Sequence, residues 1–254
     1  MTTFELAAPD PVDYLGRVAS IDLGQAYKQQ MLDLLGLRLG HTVLDVGCGP
    51  GTDLATLAAA TGRVVGVDRD PVMVTRATER TVELPTVAVG LADAHHLPIA
   101  TATAGRARTD RVLQHVLDPR RALVELRRTL RPGGRLVMGE PDWDTLTVDH
   151  PNPEWSRAYT RHIVERVVRN ASIGHQLARM AAHAGFDVPQ VMPVTAVFRS
   201  LDDADPILGI ARNTRRAVRA GYLSLAAGTE FVQDLTTAPF LAAVTLYVVV
   251  ADAT

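Results

Sequence analysis

The chain has one cysteine, Cys48, in 254 residues. An intrachain disulfide is therefore excluded, and the usage fits a reducing compartment. An excess of one charge is also missing: the net charge is −2 at pH 7, which implies no global attraction to nucleic acid. No apolar run is long enough to span a bilayer. The opening residues MTTFELAAPDP have neither the basic region nor the apolar core of a signal peptide. These absences predict a soluble, cytoplasmic protein without a membrane partner. Internal repeats and low-complexity tracts are absent too, as are the phosphate loop G-x-x-x-x-G-K-[ST], a zinc-ligand spacing and a Ser/His/Asp order. The length suits one large α/β domain, with room for a cap.

The chain is organised around Thr42 to Thr52, TVLDVGCGPGT. Thr42 to Val46 is a short apolar run broken by one acid, Asp45, as in a buried parallel strand. Gly47-Cys48-Gly49-Pro50-Gly51 follows, and then Leu54, Leu57, Ala58 and Thr61 recur at helical period. A glycine turn between strand and helix sits where open α/β sheets bind ligands. The dinucleotide fingerprint G-x-G-x-x-G fails by one place, because its third glycine would be Thr52 and the glycine stands at Gly51.

VLDVGCGPG resembles the first motif of the class I S-adenosylmethionine (SAM)-dependent methyltransferases, and later segments extend the likeness over residues 40–140. Arg63 to Asp68 is a second apolar run ending in an acid, placed where a carboxylate accepts both ribose hydroxyls of an adenosine. Asp68 also suits a helix N-cap; we assign the cap to Asp70, before Pro71, and the ribose to Asp68. Met73 then falls on the first helical turn, near the adenine or in the core. Thr86 to Gly90 is the third strand, leading to Asp93 and Ala94, to which the resemblance assigns the adenine contacts. His95 and His96 read as ordinary loop histidines rather than metal ligands.

Ala104 to Val112 is expected to hold the fourth strand, and it departs from the family. Arg106 and Arg108 fall on one face, which is awkward in a sheet covered on both sides. Either the strand is short or its arginines reach solvent or a bound anion. Arg111-Val112-Leu113-Gln114-His115 resumes the family pattern and implies that Arg111 helps hold the cofactor. Asp118-Pro119 opens a helix, Arg131-Pro132-Gly133-Gly134 stops it, and Arg135 to Gly139 is the fifth strand.

The resemblance implies a Rossmann-like fold: a seven-stranded, mostly parallel α/β sheet with helices on both faces, an antiparallel last strand and a helical cap insertion. We divide the chain into a helical arm (1–40), a core (41–140), a cap with two helices (141–187) and a C-terminal part (188–254) with a helical substrate-side segment (203–239). Within that segment Arg212, Arg215, Arg216 and Arg219 share one side of a helix expected from Asp203 to Gly221, a solvated face in preference to an anion-binding one.

The implied cofactor is SAM, held by Tyr14, Asp45, Gly47, Cys48, Gly49, Gly51, Asp68, Arg69, Met73, Asp93, Ala94 and Arg111; Tyr14 reads equally as packing for the arm. His115 and Glu140 are the candidate catalytic residues, with His150 behind, and no metal is expected. A sulfonium methyl needs alignment with a nucleophile, and a base for a hydroxyl or carbon acid. The expected activity is methyl transfer to O, N or C of a small molecule in secondary metabolism, by a monomer or homodimer. A cyclase or scaffold that keeps SAM without transfer stands as the alternative. An NAD-dependent oxidoreductase and a nucleic-acid methyltransferase are less favoured.

Overall fold

The computed structural model describes residues 22–237 and 239–254, so Tyr14 and the arm before it lie outside the described residues. Helix α1 (Asp22–Leu35) precedes a βα series: β1 (Thr42–Val46), α2 (Leu54–Thr61), β2 (Arg63–Asp68), α3 (Pro71–Arg80), β3 (Val87–Leu91), β4 (Ala104–Asp110) and α4 (Pro119–Thr129). Then follow β5 (Leu130–Val148), α5 (Pro153–His162) with a π-turn (Ile163–Val167), α6 (Ile173–His183), β6 (Phe186–Phe198), α7 (Leu201–Leu208), α8 (Ile210–Arg219), α9 (Leu225–Thr237) and β7 (Ala242–Ala253).

The strands form one seven-stranded sheet in the order β3-β2-β1-β4-β5-β7-β6, in which β7 runs antiparallel to both β5 and β6. The chain moves outward from β1 through β2 to β3 and returns on the other side as β4. The loops after β1 and β4 therefore diverge, and such a switch point opens a crevice at the carboxyl ends of the strands.

Side-chain alternation makes both faces apolar. Leu44, Leu136 and Met138 pack with Leu123 and Leu126 of α4 and Leu177 of α6 on one face. Val43, Val64 and Val137 pack with Met31 and Leu35 of α1 and Leu54 and Leu57 of α2 on the other. A third cluster joins Tyr159 of α5 to Leu208, Ile210 and Phe231 beneath the far ends of β5 and β7, including Leu146 and Val244. Among the described residues, no helix is long and apolar enough to cross a membrane.

Three expectations need revision. The second expected cap helix is α6; its Ile173, Leu177 and Ala181 are buried in the sheet core, so it is a crossover helix rather than a cap. The helix expected over 203–221 is two helices broken at Gly209, which ends α7 with a φ of +65° and a hydrogen bond from its backbone N–H to the Asp205 carbonyl. The fifth strand runs on past Gly139 to Val148, paired with β7 after an irregularity between Asp142 and Thr147.

β4 spans seven residues and pairs with β1 and β5, with one irregularity between Ala104 and Arg106, and neither proposed escape applies to Arg108. Arg108 is 3% exposed, held against Asp53 and 3.4 Å from Asp45. Arg106 donates from Nε to the Leu35 carbonyl (2.6 Å). The strand tolerates Arg108 because carboxylates from β1 and the start of α2 neutralise it.

Candidate active site

A cleft of about 300 Å³ opens at the switch point, between the glycine loop after β1 and the turn after β4. Gly47 has φ of +73°, and a Cβ there would overlap the Val112 side chain across the cleft floor. Only glycine permits both the left-handed turn and this approach. The amides of Gly47 and Cys48 both bond the Val67 carbonyl, at 2.7 and 3.0 Å, which ties the loop to β2.

Asp68, at the end of β2, accepts the Gly49 amide (2.9 Å) on one oxygen and the Asp70 amide (2.9 Å) on the other. Each oxygen keeps further acceptor capacity. Asp70 accepts the Val72 amide (2.9 Å) and so caps α3, with Pro71 in its first turn. Met73, Asp93, Ala94 and Arg69 line the same side of the cleft. Asp93 accepts the His95 amide (2.8 Å) and pairs with the His95 ring. That backbone hydrogen bond holds its carboxyl below the usual range. His95 also accepts the Asp118 amide (3.1 Å), and His96 meets Arg121, so both histidines tie loops together.

Three residues assigned to the cofactor lie behind the cleft wall. Asp45 is buried against Arg108. Cys48 is buried, and burial pushes its thiol up. Gly51, with φ of +76°, sits where a Cβ would lie 3.0 Å from the Ala77 backbone, so it serves loop-to-helix packing. These residues shape the loop and do not line the cleft.

The opposite wall is the turn from Arg111 to Val116. Arg111 has φ of +57°, and its amide donates to the Gly139 carbonyl (2.8 Å). Glu140 holds this turn. It is fully buried and accepts the amides of Val112 (2.7 Å), Leu113 (2.6 Å) and Gln114 (3.2 Å). Burial pushes its pKa up to about 8 against the pull of those amides. Since Glu140 is sealed behind the turn, the geometry gives it a positioning role in place of the catalytic one expected. His150 is likewise remote, packed on Trp155 and Phe231 in the helical lobe.

His115 lines the cleft. Its side chain is exposed at the rim, and partial desolvation by neighbouring atoms, then the nearby Arg69 and Arg111 guanidiniums, lower its pKa. A lowered value leaves the imidazole neutral at neutral pH and able to take a proton. The cleft also holds His95, expected to be an ordinary loop histidine, and Asp110, the last residue of β4, which was not among the expected site residues. The signal for Asp110 was an acid directly before the R-V-L-Q-H segment.

Residues 44–138 match the family model described as a methyltransferase domain. The chain is 58% identical, over 99% of its own length and 74% of the relative's, to an uncharacterized 37.1 kDa protein in transposon TN4556 of Streptomyces fradiae. It is 37% identical to the methyltransferase GfsG of Streptomyces halstedii over 52% of this chain, and the match spans about half, 48%, of that relative. The crystal structure of the YcgJ protein from Bacillus subtilis superposes with a TM-score of 0.68 at 18% identity, covering 90% of this chain and 98% of that one.

Proposed function

The chain belongs to the class I SAM-dependent methyltransferases, with SAM as cofactor, and from that membership we propose that it methylates an O, N or C atom of a small molecule with His115 as the base. The supporting observation is the placement of the His115 imidazole in the same cleft as the glycine loop, Asp68 and Asp93.

The donor set suits SAM. Asp68 has spare acceptor capacity on both oxygens for the ribose hydroxyls, Asp93 and Ala94 supply an acceptor and an amide for the adenine edge, and the Cβ-free Gly47 leaves backbone open to close approach. Bound SAM supplies an activated sulfonium methyl group. The protein's part is to hold the acceptor in line and keep its nucleophile deprotonated. His115 removes the proton from a hydroxyl or carbon acid, and Glu140, gripping three amides of the same turn, fixes where His115 stands. A small acceptor agrees with the cleft's size and with the near balance of charge.

The test is calorimetric titration with SAM and its demethylated product, S-adenosylhomocysteine, followed by mass spectrometry of candidate acceptors. Micromolar binding of both, and an acceptor gaining one methyl group, are expected. Binding of NADH in their place overturns the reading.

A further inference from the structure

His115 is held differently from other histidines of the chain. His95 pairs with Asp93, His96 meets Arg121 and His175 pairs with Asp142. The His115 ring, exposed at the cleft rim, makes no hydrogen bond or ion pair among the described residues. A general base is normally oriented by a third group that bonds its side chain. Here the place of the ring is set by the main chain that carries it, the turn from Arg111 to Val116.

That turn is gripped from two directions. Glu140 of β5 takes the amides of Val112, Leu113 and Gln114. The carbonyls go to one residue of the lobe side. Asn170 donates from Nδ2 to the carbonyls of Leu113 and Val116, both at 2.8 Å, and from its backbone amide to that of Gln114 at 3.0 Å. An amide nitrogen carries two hydrogens, and each has its own carbonyl, one before His115 in the chain and one after it. A second hold passes through Gln114, which is buried. Its Oε1 accepts the Trp143 indole N–H (2.9 Å), and the Trp143 amide donates to the Ala171 carbonyl (2.8 Å).

The first explanation to weigh is ordinary loop packing. Asn170 stands between the π-turn and α6, and its carbonyl accepts the Ile173 amide (3.1 Å) where α6 begins. That bond needs only backbone, which any residue supplies. Both side-chain donors go instead to the turn, and a residue without an NH₂ group could not reach two carbonyls from one atom. We propose that Asn170 is a positioning residue for His115, seconded by Trp143 through Gln114, so that the lobe side of the site fixes where the imidazole stands. The inference rests on the reading of His115 as base for its catalytic consequence, and on these hydrogen bonds alone for its geometry.

The experiment is NMR titration of the full chain labelled in its histidine rings, comparing wild type, Asn170→Ala and Asn152→Ala, with His115→Ala to assign the signal. Asn152 caps α5 in the same lobe, so its loss loosens the lobe without touching the turn. In wild type the His115 signal is expected to titrate below the ordinary histidine value, held there by partial desolvation and by Arg69 and Arg111. Asn170→Ala frees the ring from that position: its signal shifts and its pKa returns towards the ordinary value. Calorimetry should find binding of S-adenosylhomocysteine unchanged. Asn152→Ala lowers the melting temperature and leaves the His115 titration as in wild type. An unmoved His115 signal in Asn170→Ala overturns the proposal, as does an equal shift in Asn152→Ala or a loss of S-adenosylhomocysteine binding in Asn170→Ala. Should Asn170→Ala not fold, as judged by circular dichroism, Trp143→Phe keeps an aromatic ring and removes the indole donor; a smaller shift in the same direction is expected, and none overturns the proposal. With the acceptor found by mass spectrometry, kcat of Asn170→Ala should fall by up to about 10²-fold. Full activity in His115→Ala sinks the base reading instead, and the titration still decides where the ring is held.

Discussion

The Arg108 guanidinium, in the middle of the parallel sheet, is held against the carboxylate of Asp53, the residue that precedes α2. The pair joins β4 to the start of the helix after the glycine loop. Asp45 on β1 and Lys28 on α1 complete a network across four neighbouring elements. Burial costs charged groups dearly unless they are paired, so the members depend on one another.

Arg108→Leu is therefore expected to destabilise the fold by about 3–5 kcal/mol, because it strands the buried Asp45 without its cation and leaves Asp53 with Lys28 alone. Adding Asp45→Val should recover part of that loss, since an apolar pair suits a covered sheet. Urea unfolding of the two single variants and the double variant measures the coupling, and simple additivity would refute it.

Glu140 predicts a pH dependence of stability. Its pKa rises from 4.5 to about 8 on folding, so the folded chain binds this proton more tightly than the unfolded one. The contribution is fully present below about pH 4.5 and is lost as pH rises through 8. Asp45, raised to about 6, adds to the decline at the acid end of that window. Unfolding free energy should fall across this range in wild type, and Glu140→Gln should flatten the upper part. An unchanged slope would refute the assignment.

His115→Ala should lower kcat by about 10²–10⁴ for an acceptor whose proton must be removed, with little change in SAM affinity. The wild-type rate should fall in acid, through a pKa below the ordinary histidine value, as the imidazole takes up its proton. A loss of SAM binding equal to the loss of rate would mean that His115 only shapes the cleft.

Gly47→Ala combines a left-handed φ of +73° with a clash on Val112. The backbone term alone costs about 1–2 kcal/mol, and SAM affinity should fall as the loop shifts. Val112→Ala in the same chain removes the overlapping methyls and should restore part of the affinity but not the backbone cost. Thermal melts and calorimetry on both variants separate the two.

The sequence made the local features of this site legible. Asp70 and Asp118 cap their helices in the structure, each followed by a proline, because a cap is specified within three or four residues. The glycine loop was readable for the same reason. Asp110 and Glu140 were not, since their partners come from far along the chain: Tyr27 is 83 residues from Asp110, and the amide of Leu113 is 27 from Glu140. Arg108 looked like a fault in the fourth strand because its tolerance depends on Asp53, 55 residues away. Glu140 stood at a strand end facing the crevice, as a catalytic acid would, and only the three hydrogen bonds it accepts from backbone amides reveal that it points behind the wall. The course of β5 escaped for a different reason. The segment after Gly139 is polar and mixed, and what keeps it extended is β7, which arrives about a hundred residues later.

That long strand has a mechanical consequence. Leu130 to Val148 is one 19-residue strand, paired with β7 over 135–142 and again at Thr147 and Val148, and β6 braces β7 in turn. Its first half carries the cleft wall and its second half carries the helical lobe. A beam of three bonded strands resists bending, so the lobe and the wall of the cleft are expected to travel as a single stiff body. Access to the cleft would then be regulated from the other side, where α1 rests on Asp110 and Asp53 through Tyr27 and Lys28.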